Sequence, residues 1–254
     1  MAGAKPLFIS TGLILEEGFE IAKLSQIIRS MKNAADEAGI KIITGDTKVV
    51  EKGKGDQIFI NTSGIGVIEK DIEISPLKCK PGDAIILSGK IAEHGIAVLS
   101  ARENLQFETT TKSDTAPLNE LVHEMICVSK NIHVLRDPTR GGLATTLNEI
   151  SSASNLGIII DEEKIPIEDE VKAACEILGF DPLYVANEGK LVAFVQHEDC
   201  DKIIDVMHKN KYGKDAVIIG NVTSENPGEV IMKTTIGTKR IIDMLTGEQL
   251  PRIC

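Results

Sequence analysis

The chain has 254 residues, 42% of them hydrophobic and 26% charged, a balance that supports one large or two ordinary globular domains. Its 28 Lys and Arg against 38 Asp and Glu give a net charge of −10, which excludes a general binder of nucleic-acid backbone while leaving room for one small nucleotide. No apolar run approaches a membrane span, the start lacks the features of a secretory signal, and the five scattered cysteines form no C-x-x-C pair. The expectation is a cytoplasmic protein without membrane span, disulfide framework or zinc ribbon.

Leu7 to Leu15 reads as a strand, and Ile21, Leu24, Ile28, Met31, Ala35 and Ala38 as a helical stripe ended by Gly39. Ile40 to Thr44 is predicted as a short buried strand broken by Gly45-Asp46-Thr47. Gln57 to Glu69 is predicted as a strand interrupted by Gly64 and Gly66. Two prolines within residues 74–83 mark a boundary. Beyond it come a predicted strand at Ala84 to Ser88, a helix from His94 to Ser100 and an amphipathic helix carrying Leu118, Leu121, Val122, Met125 and Val128. A further helix follows Gly141 and Gly142 with Leu143, Leu147 and Ile150 on one face, then a strand at Ile158 to Ile160 and a helix at Glu168 to Leu178. Leu183 to Ala186 and Leu191 to Val195 read as a hairpin around Asn187-Glu188-Gly189. A helix at Cys200 to Lys209 and strands at Ala216 to Ile219 and Glu229 to Lys233 complete the pattern. The fold class is therefore α+β (mixed α/β) in two domains, residues 1–70 and 71–245, with residues 246–254 as a mobile tail.

Four constellations could carry chemistry. In Gly45-Asp46-Thr47-Lys48, a glycine lets backbone approach a phosphate, the Asp carboxylate is a hard ligand for Mg²⁺, and the Lys neutralises phosphate charge; the same residues also read as a strand-ending turn. The chain has no Walker A loop. Asp137-Pro138-Thr139-Arg140-Gly141-Gly142 stands directly before a helix, where free N–H groups make an anion site, and equally suits a Pro/Gly turn. Glu188 is a general base if it points into a cleft, or else part of a hairpin tip. Cys254, the last residue, puts a thiol on a chain end, with Arg252 favouring the thiolate and the terminal carboxylate opposing it. Four cysteines read as small buried hydrophobes, and His94, His123, His133, His197 and His208 as surface or satisfied histidines.

Taken together these features resemble a known family. The residues concerned are Gly3-Ala-Lys-Pro6, Leu15-Glu-Glu-Gly18, Ile43-Thr-Gly-Asp-Thr-Lys-Val49, Gly53-Lys-Gly-Asp56, Asn61-Thr-Ser-Gly-Ile-Gly66, Arg136-Asp-Pro-Thr-Arg-Gly-Gly142, Asn187-Glu-Gly189 and Pro251-Arg-Ile-Cys254. They resemble, essentially end to end, the HypE family of carbamoyl dehydratases of nickel–iron hydrogenase maturation, within the superfamily of aminoimidazole ribonucleotide synthetase and selenophosphate synthetase. The ending Pro-Arg-Ile-Cys is the most specific part of it.

The resemblance implies a PurM-like fold whose N-terminal ATP-binding and dimerisation domain is incomplete here, since family members carry an earlier acidic segment that helps hold Mg-ATP. It implies ATP-dependent dehydration of a carbamoyl group on Cys254 to a thiocyanate, the source of the cyanide ligands of the hydrogenase iron. Gly45, Asp46, Thr47, Asp137, Thr139, Arg140, Gly141 and Gly142 would hold ATP, with Asp46 on Mg²⁺ and Cys254, Lys48 and Glu188 as catalytic groups. The implied partners are a HypF-like carbamoyltransferase, an iron-carrying HypC/HypD-like complex and a second copy of the chain, with no nucleic acid and no membrane. Two alternatives stand beside this: another ATP-dependent ligase or kinase of the superfamily, and a carrier module that presents the thiol without turnover.

Overall fold

A computed structural model describes residues 1–102 and 111–247. The chain divides into two compact units, Ala4–Glu69 and the remainder, in which Met1–Gly3 joins Lys70 onward.

In the first unit, β1 (Lys5–Glu16) is the central strand, parallel to β2 (Lys41–Val50) and antiparallel to β3 (Ile58–Val67). Helix α1 (Ile21–Glu37) connects β1 to β2, the crossover that a parallel pair requires. Its inward stripe is Leu24, Ile27, Met31, Ala35 and Ala38; Ile28, assigned to that stripe from spacing, is exposed. The helix stops where Gly39, at φ +68°, donates to Asp36 O and Ile40 N reaches back to Ala35 O at 2.9 Å.

Two sequence expectations fail here. β2 is exposed along most of its length rather than buried, and it runs through Gly45-Asp46-Thr47 instead of breaking there. β3 likewise passes through Gly64 and Gly66 without interruption. Both follow from close strand pairing. A Cβ at Gly45 would stand 2.8 Å from Thr11 O, and one at Gly66 would stand 2.8 Å from Lys5 O, so these glycines serve the sheet.

Among the described residues the second unit builds a seven-stranded sheet. In chain order its strands are β4 (Ala84–Leu87), β5 (Ile132–Arg136), β6 (Gly157–Asp161), β7 (Val192–Val195), β8 (Val217–Thr223), β9 (Val230–Lys233) and β10 (Lys239–Ile241). They lie side by side as β10-β9-β6-β8-β4-β7-β5, antiparallel throughout except for the parallel pair β6 and β9. Helices cover both faces. Ile85 and Leu87 point to one side with Val192 and Phe194, under Leu143, Leu147 and Ile150 of α4 (Gly142–Ser154). Ala84, Ile86, Ala193 and Val195 point to the other, against α3 (Asn119–Val128) and α6 (Cys200–Lys209). Because both faces are covered, every residue of β4 and β7 is buried, and these strands read as unbroken apolar runs. A third cluster joins α2 (Glu93–Arg102) to α5 (Asp169–Leu178) through Ile96, Val171, Ala174 and Cys175.

The expected hairpin around Asn187-Glu188-Gly189 does not form. Pro182–Tyr184 is a 3₁₀ turn, and the chain then crosses to β7 without pairing on itself. Strands β5 and β10, absent from the sequence reading, are further additions.

Candidate active site

Residues Asp137–Gly142 lead from β5 into α4, and both Gly141 and Gly142 adopt left-handed backbone, at φ +70° and +62°. A side chain at Gly142 would strike Leu183 O and stand 2.7 Å from Val185 O, so only glycine lets this turn lie against residues 183–185. Gly141, the N-cap of α4, supplies no side-chain cap, and such a helix start favours an anion. Thr139 Oγ1 donates to Asp137 Oδ2 at 3.2 Å, and Arg140 is exposed. Thr145 Oγ1, in the first turn of α4, is buried without a hydrogen-bond partner among the described residues.

Glu188 is brought to this loop by its neighbour. Asn187 is fully buried, and its Nδ2 donates to Pro138 O at 2.9 Å and to Val185 O at 3.1 Å, while its Oδ1 accepts Ala92 N at 2.7 Å. One amide thus fastens the anion loop, the start of α2 and the segment before β7. Sequence reading treated Asn187 as a turn residue; the signal for its role is an Asn inside a stretch whose flanks are otherwise apolar.

Gly189 is equally constrained, since a Cβ there would collide with Asp114 O. Asp114 Oδ1 accepts Glu188 N at 3.0 Å, and Lys190 reaches Glu93 at 3.1 Å and Asp114 at 3.7 Å.

The Glu188 carboxyl is half-buried, and its Oε1 has no hydrogen-bond partner among the described residues. Burial pushes its pKa above the usual carboxylate range; Asp114 and Asp137 push the same way, while His94 and Arg140 oppose them. A carboxylate with raised pKa beside an anion loop is equipped to take a proton from a bound phosphorylated species.

In the first unit, Gly45, Asp46, Thr47 and Lys48 lie opposite Thr11, Gly12, Leu13 and Ile14. Strand alternation sets Asp46 and Lys48 on one side and Thr47 on the other. Asp46 Oδ1 accepts Thr47 N at 2.8 Å. The nearby motif Gly53-Lys-Gly-Asp56 is held by Glu16, whose carboxylate accepts Gly53 N and Gln57 N and titrates below its ordinary range for that reason.

No group of three metal-ligating side chains occurs among the described residues. Asp46 fits Mg²⁺ only as the single carboxylate of an ion whose other ligands are phosphate oxygens and water, a common arrangement for that ion. Cys254 lies outside the described residues, as does most of the expected tail.

Two minor expectations change. Cys79, Cys175 and Cys200 are buried, with burial pushing their thiols up to about 12, 11 and 11, but Cys127 is exposed beside His123. His133 is satisfied by Asp83 at 2.8 Å and His208 by Ala216 O at 2.8 Å, whereas His94 is buried and only half satisfied: its Nδ1 is 2.8 Å from Ser113 Oγ and its Nε2 has no partner among the described residues.

A two-unit α/β chain with an anion loop at the start of α4 defines a class. Residues 1–68 match the N-terminal domain, and residues 80–233 the C-terminal domain, of the AIR synthase related proteins. Carbamoyl dehydratase HypE of Cupriavidus necator is 55% identical over 254 residues, spanning 100% of this chain and 72% of the relative. A crystal structure of a HypE–HypF complex superposes with a TM-score of 0.92 at 52% identity, covering 96% of this chain and 79% of that one. HypE crystallised in complex with ATP gives 0.96 at 45% identity, covering 100% and 77%. The chain belongs to the HypE family of carbamoyl dehydratases of hydrogenase maturation. Among the described residues, no helix is long and apolar enough to cross a membrane.

Proposed function

We propose that this protein dehydrates an S-carbamoyl group on its own Cys254 to a thiocyanate at the expense of ATP. The observation that carries the reading is Glu188, a half-buried carboxyl of raised basicity pinned through Asn187 to the loop that opens α4.

The thiocarbamate carbonyl oxygen attacks the γ-phosphorus of ATP and ADP leaves, turning a poor leaving group into phosphate. Glu188 takes a proton from the nitrogen, the C–O bond breaks, and phosphate departs with its electron pair. Both nitrogen-bound protons are gone when the C≡N bond on sulfur is complete. Phosphoryl transfer of this kind asks the protein for positioning and charge neutralisation. Asp137, Thr139, Arg140, Gly141 and Gly142 serve it from the start of α4, and Gly45, Asp46, Thr47 and Lys48 are assigned to the same reaction. Bound to Asp46 and the phosphates, Mg²⁺ would neutralise charge on the transferring group. Lys48 acts on the same charge or on the amide.

The reading extends to a cytoplasmic homodimer that receives its carbamoyl group from a HypF-like carbamoyltransferase and passes the cyano group to a HypC/HypD-like iron carrier. The HypE–HypF complex among its relatives supports the first of these steps. The test is turnover of carbamoylated protein with Mg-ATP, compared with Cys254→Ala. Phosphate release that tracks thiocyanate formation, and is lost with Cys254→Ala, supports the reading. ATP turnover on a free substrate by Cys254→Ala would point to a different superfamily enzyme, and loading without turnover to a carrier.

A further inference from the structure

Three charged residues that no sequence pattern singled out meet beside Glu188. Asp114 lies ahead of α3, Lys190 ahead of β7, and Glu93 is the first residue of α2. They form a chain of contacts that starts on the backbone of the base itself. Glu188 N donates to Asp114 Oδ1 at 3.0 Å, Lys190 Nζ stands 3.7 Å from Asp114 Oδ2, and the same ammonium is 3.1 Å from Glu93 Oε2. The backbone is fitted just as closely. A Cβ on Gly189 would collide with Asp114 O and stand 2.8 Å from Ala116 N, so the segment carrying Asp114 lies flush against residues 188–190.

The Asp114 side chain is wholly buried, and its Oδ2 has no hydrogen-bond partner among the described residues. Lys190 compensates it from beyond hydrogen-bond distance. Stability alone does not favour this arrangement. Desolvation of a buried ion pair offsets most of its attraction, and an amide in place of the acid would give Glu188 N the same acceptor with no charge to compensate. What only the carboxylate supplies is a fixed negative charge at the foot of Glu188. Burial is the main reason that Glu188 titrates above its ordinary range; Asp114 and Asp137 push the same way, while His94 and Arg140 oppose them.

We infer that Asp114 is a positioning residue of Glu188: its carboxylate holds the base by the backbone and sets a fixed negative charge beside it, while Lys190 and Glu93 keep that carboxylate in place. This deepens the carbamoyl dehydratase reading above and rests on it. Glu188 remains the group that takes the proton, and Asp114 has no part in the transfer. The hydrogen bond to Glu188 N fixes where the base stands. The charge of Asp114 disfavours the ionised form of Glu188 and so makes it a stronger base. Lys190 prevents Asp114 from relieving that repulsion by turning away. The remaining charged neighbour is Lys90, which pairs with Glu168 and also faces Glu93.

The test follows single-turnover dehydration of the carbamoylated chain across pH and, separately, the carbon NMR titration of the Glu188 carboxyl in the unloaded protein, assigned with Glu188→Gln. Asp114→Asn keeps an acceptor for Glu188 N and removes the charge. The rising limb of its pH profile should move to lower pH by about half a unit or more, and the NMR midpoint should move the same way. The plateau rate should fall severalfold because the base is weaker. Asp114→Ala removes the acceptor as well, and its rate should fall by about tenfold to a hundredfold. Carbamoyl loading should stay at wild-type level in both. Lys190→Met should slow dehydration in otherwise wild-type protein and add little to Asp114→Asn.

An unmoved limb or an unmoved NMR midpoint in Asp114→Asn would leave Asp114 a merely structural residue and overturn the inference, as would full additivity of Lys190→Met and Asp114→Asn. If the wild type fails to dehydrate while the NMR midpoint still shifts in Asp114→Asn, it is the proposed function that fails.

Discussion

Strand β2 of the first unit and strand β7 of the second are both rich in branched apolar residues, yet Val192–Val195 is buried at every position and Lys41–Val49 is exposed throughout. β7 lies between β4 and β5 under helices on both faces; among the described residues β2 is an edge strand paired with β1. The same contrast applies to the candidate site. Glu188 is fixed by a buried amide, a neighbouring carboxylate and two glycines that admit no side chain. Asp46 and Lys48 are placed by the pairing of an exposed strand, with one contact from Asp46 Oδ1 to the adjacent Thr47 N. Residue type therefore says little about how firmly a functional group is held; the layers around it decide that.

Several substitutions would break or sharpen this contrast. The largest effect is expected from Glu188→Gln, which should lower dehydration by about 10²–10⁴-fold, the usual contribution of a positioned base, with carbamoyl loading unchanged when followed by intact mass.

Core substitutions come next. Phe194→Ala, at a fully buried side chain, should cost roughly 3–5 kcal/mol in denaturant unfolding. Phe59→Ala, at a side chain 52% exposed, should cost under about 1 kcal/mol. Equal costs would contradict the difference in layering.

Glycines give a smaller version of the same comparison. Gly53→Ala in the first unit meets open space and suffers only its left-handed backbone, about 1–2 kcal/mol. Gly142→Ala adds a collision with the backbone at Leu183, raising the expected loss to about 3 kcal/mol or more.

The smallest effect concerns pH. Glu188 titrates above its ordinary range because of burial, so its neutral form favours the folded state below the ordinary carboxylate pKa. That contribution is lost as pH rises through the folded-state value. Glu188→Gln should therefore melt higher than wild type at neutral pH, and the difference should close on acidification. A variant that melts lower at neutral pH would contradict the assigned environment.

The helices of the second unit were legible because their apolar spacing survives in the packing: Cys200–Lys209 has the same ends in both readings. Strand Ala84–Leu87 was legible as an apolar run. Gly45-Asp46-Thr47 misled because glycine and Asp signal a turn locally, while here the glycine admits Thr11 O across the strand pair. Asn187-Glu188-Gly189 misled for a related reason. Those residues suit a hairpin tip, but their roles are set by Pro138, Ala92 and Asp114, all distant in sequence. The burial of His94, which sequence pattern leaves as a surface or satisfied histidine, was not legible because it depends on Ser113 and on the Val185 segment, both distant in sequence.

The central claim, that Glu188 and the α4 loop serve a group carried on Cys254, is tested most directly by the mass of the C-terminal peptide. After carbamoylation and incubation with Mg-ATP, that peptide should lose the mass of one water in step with phosphate release. An unchanged carbamoylated peptide accompanied by full ATP turnover would contradict the account.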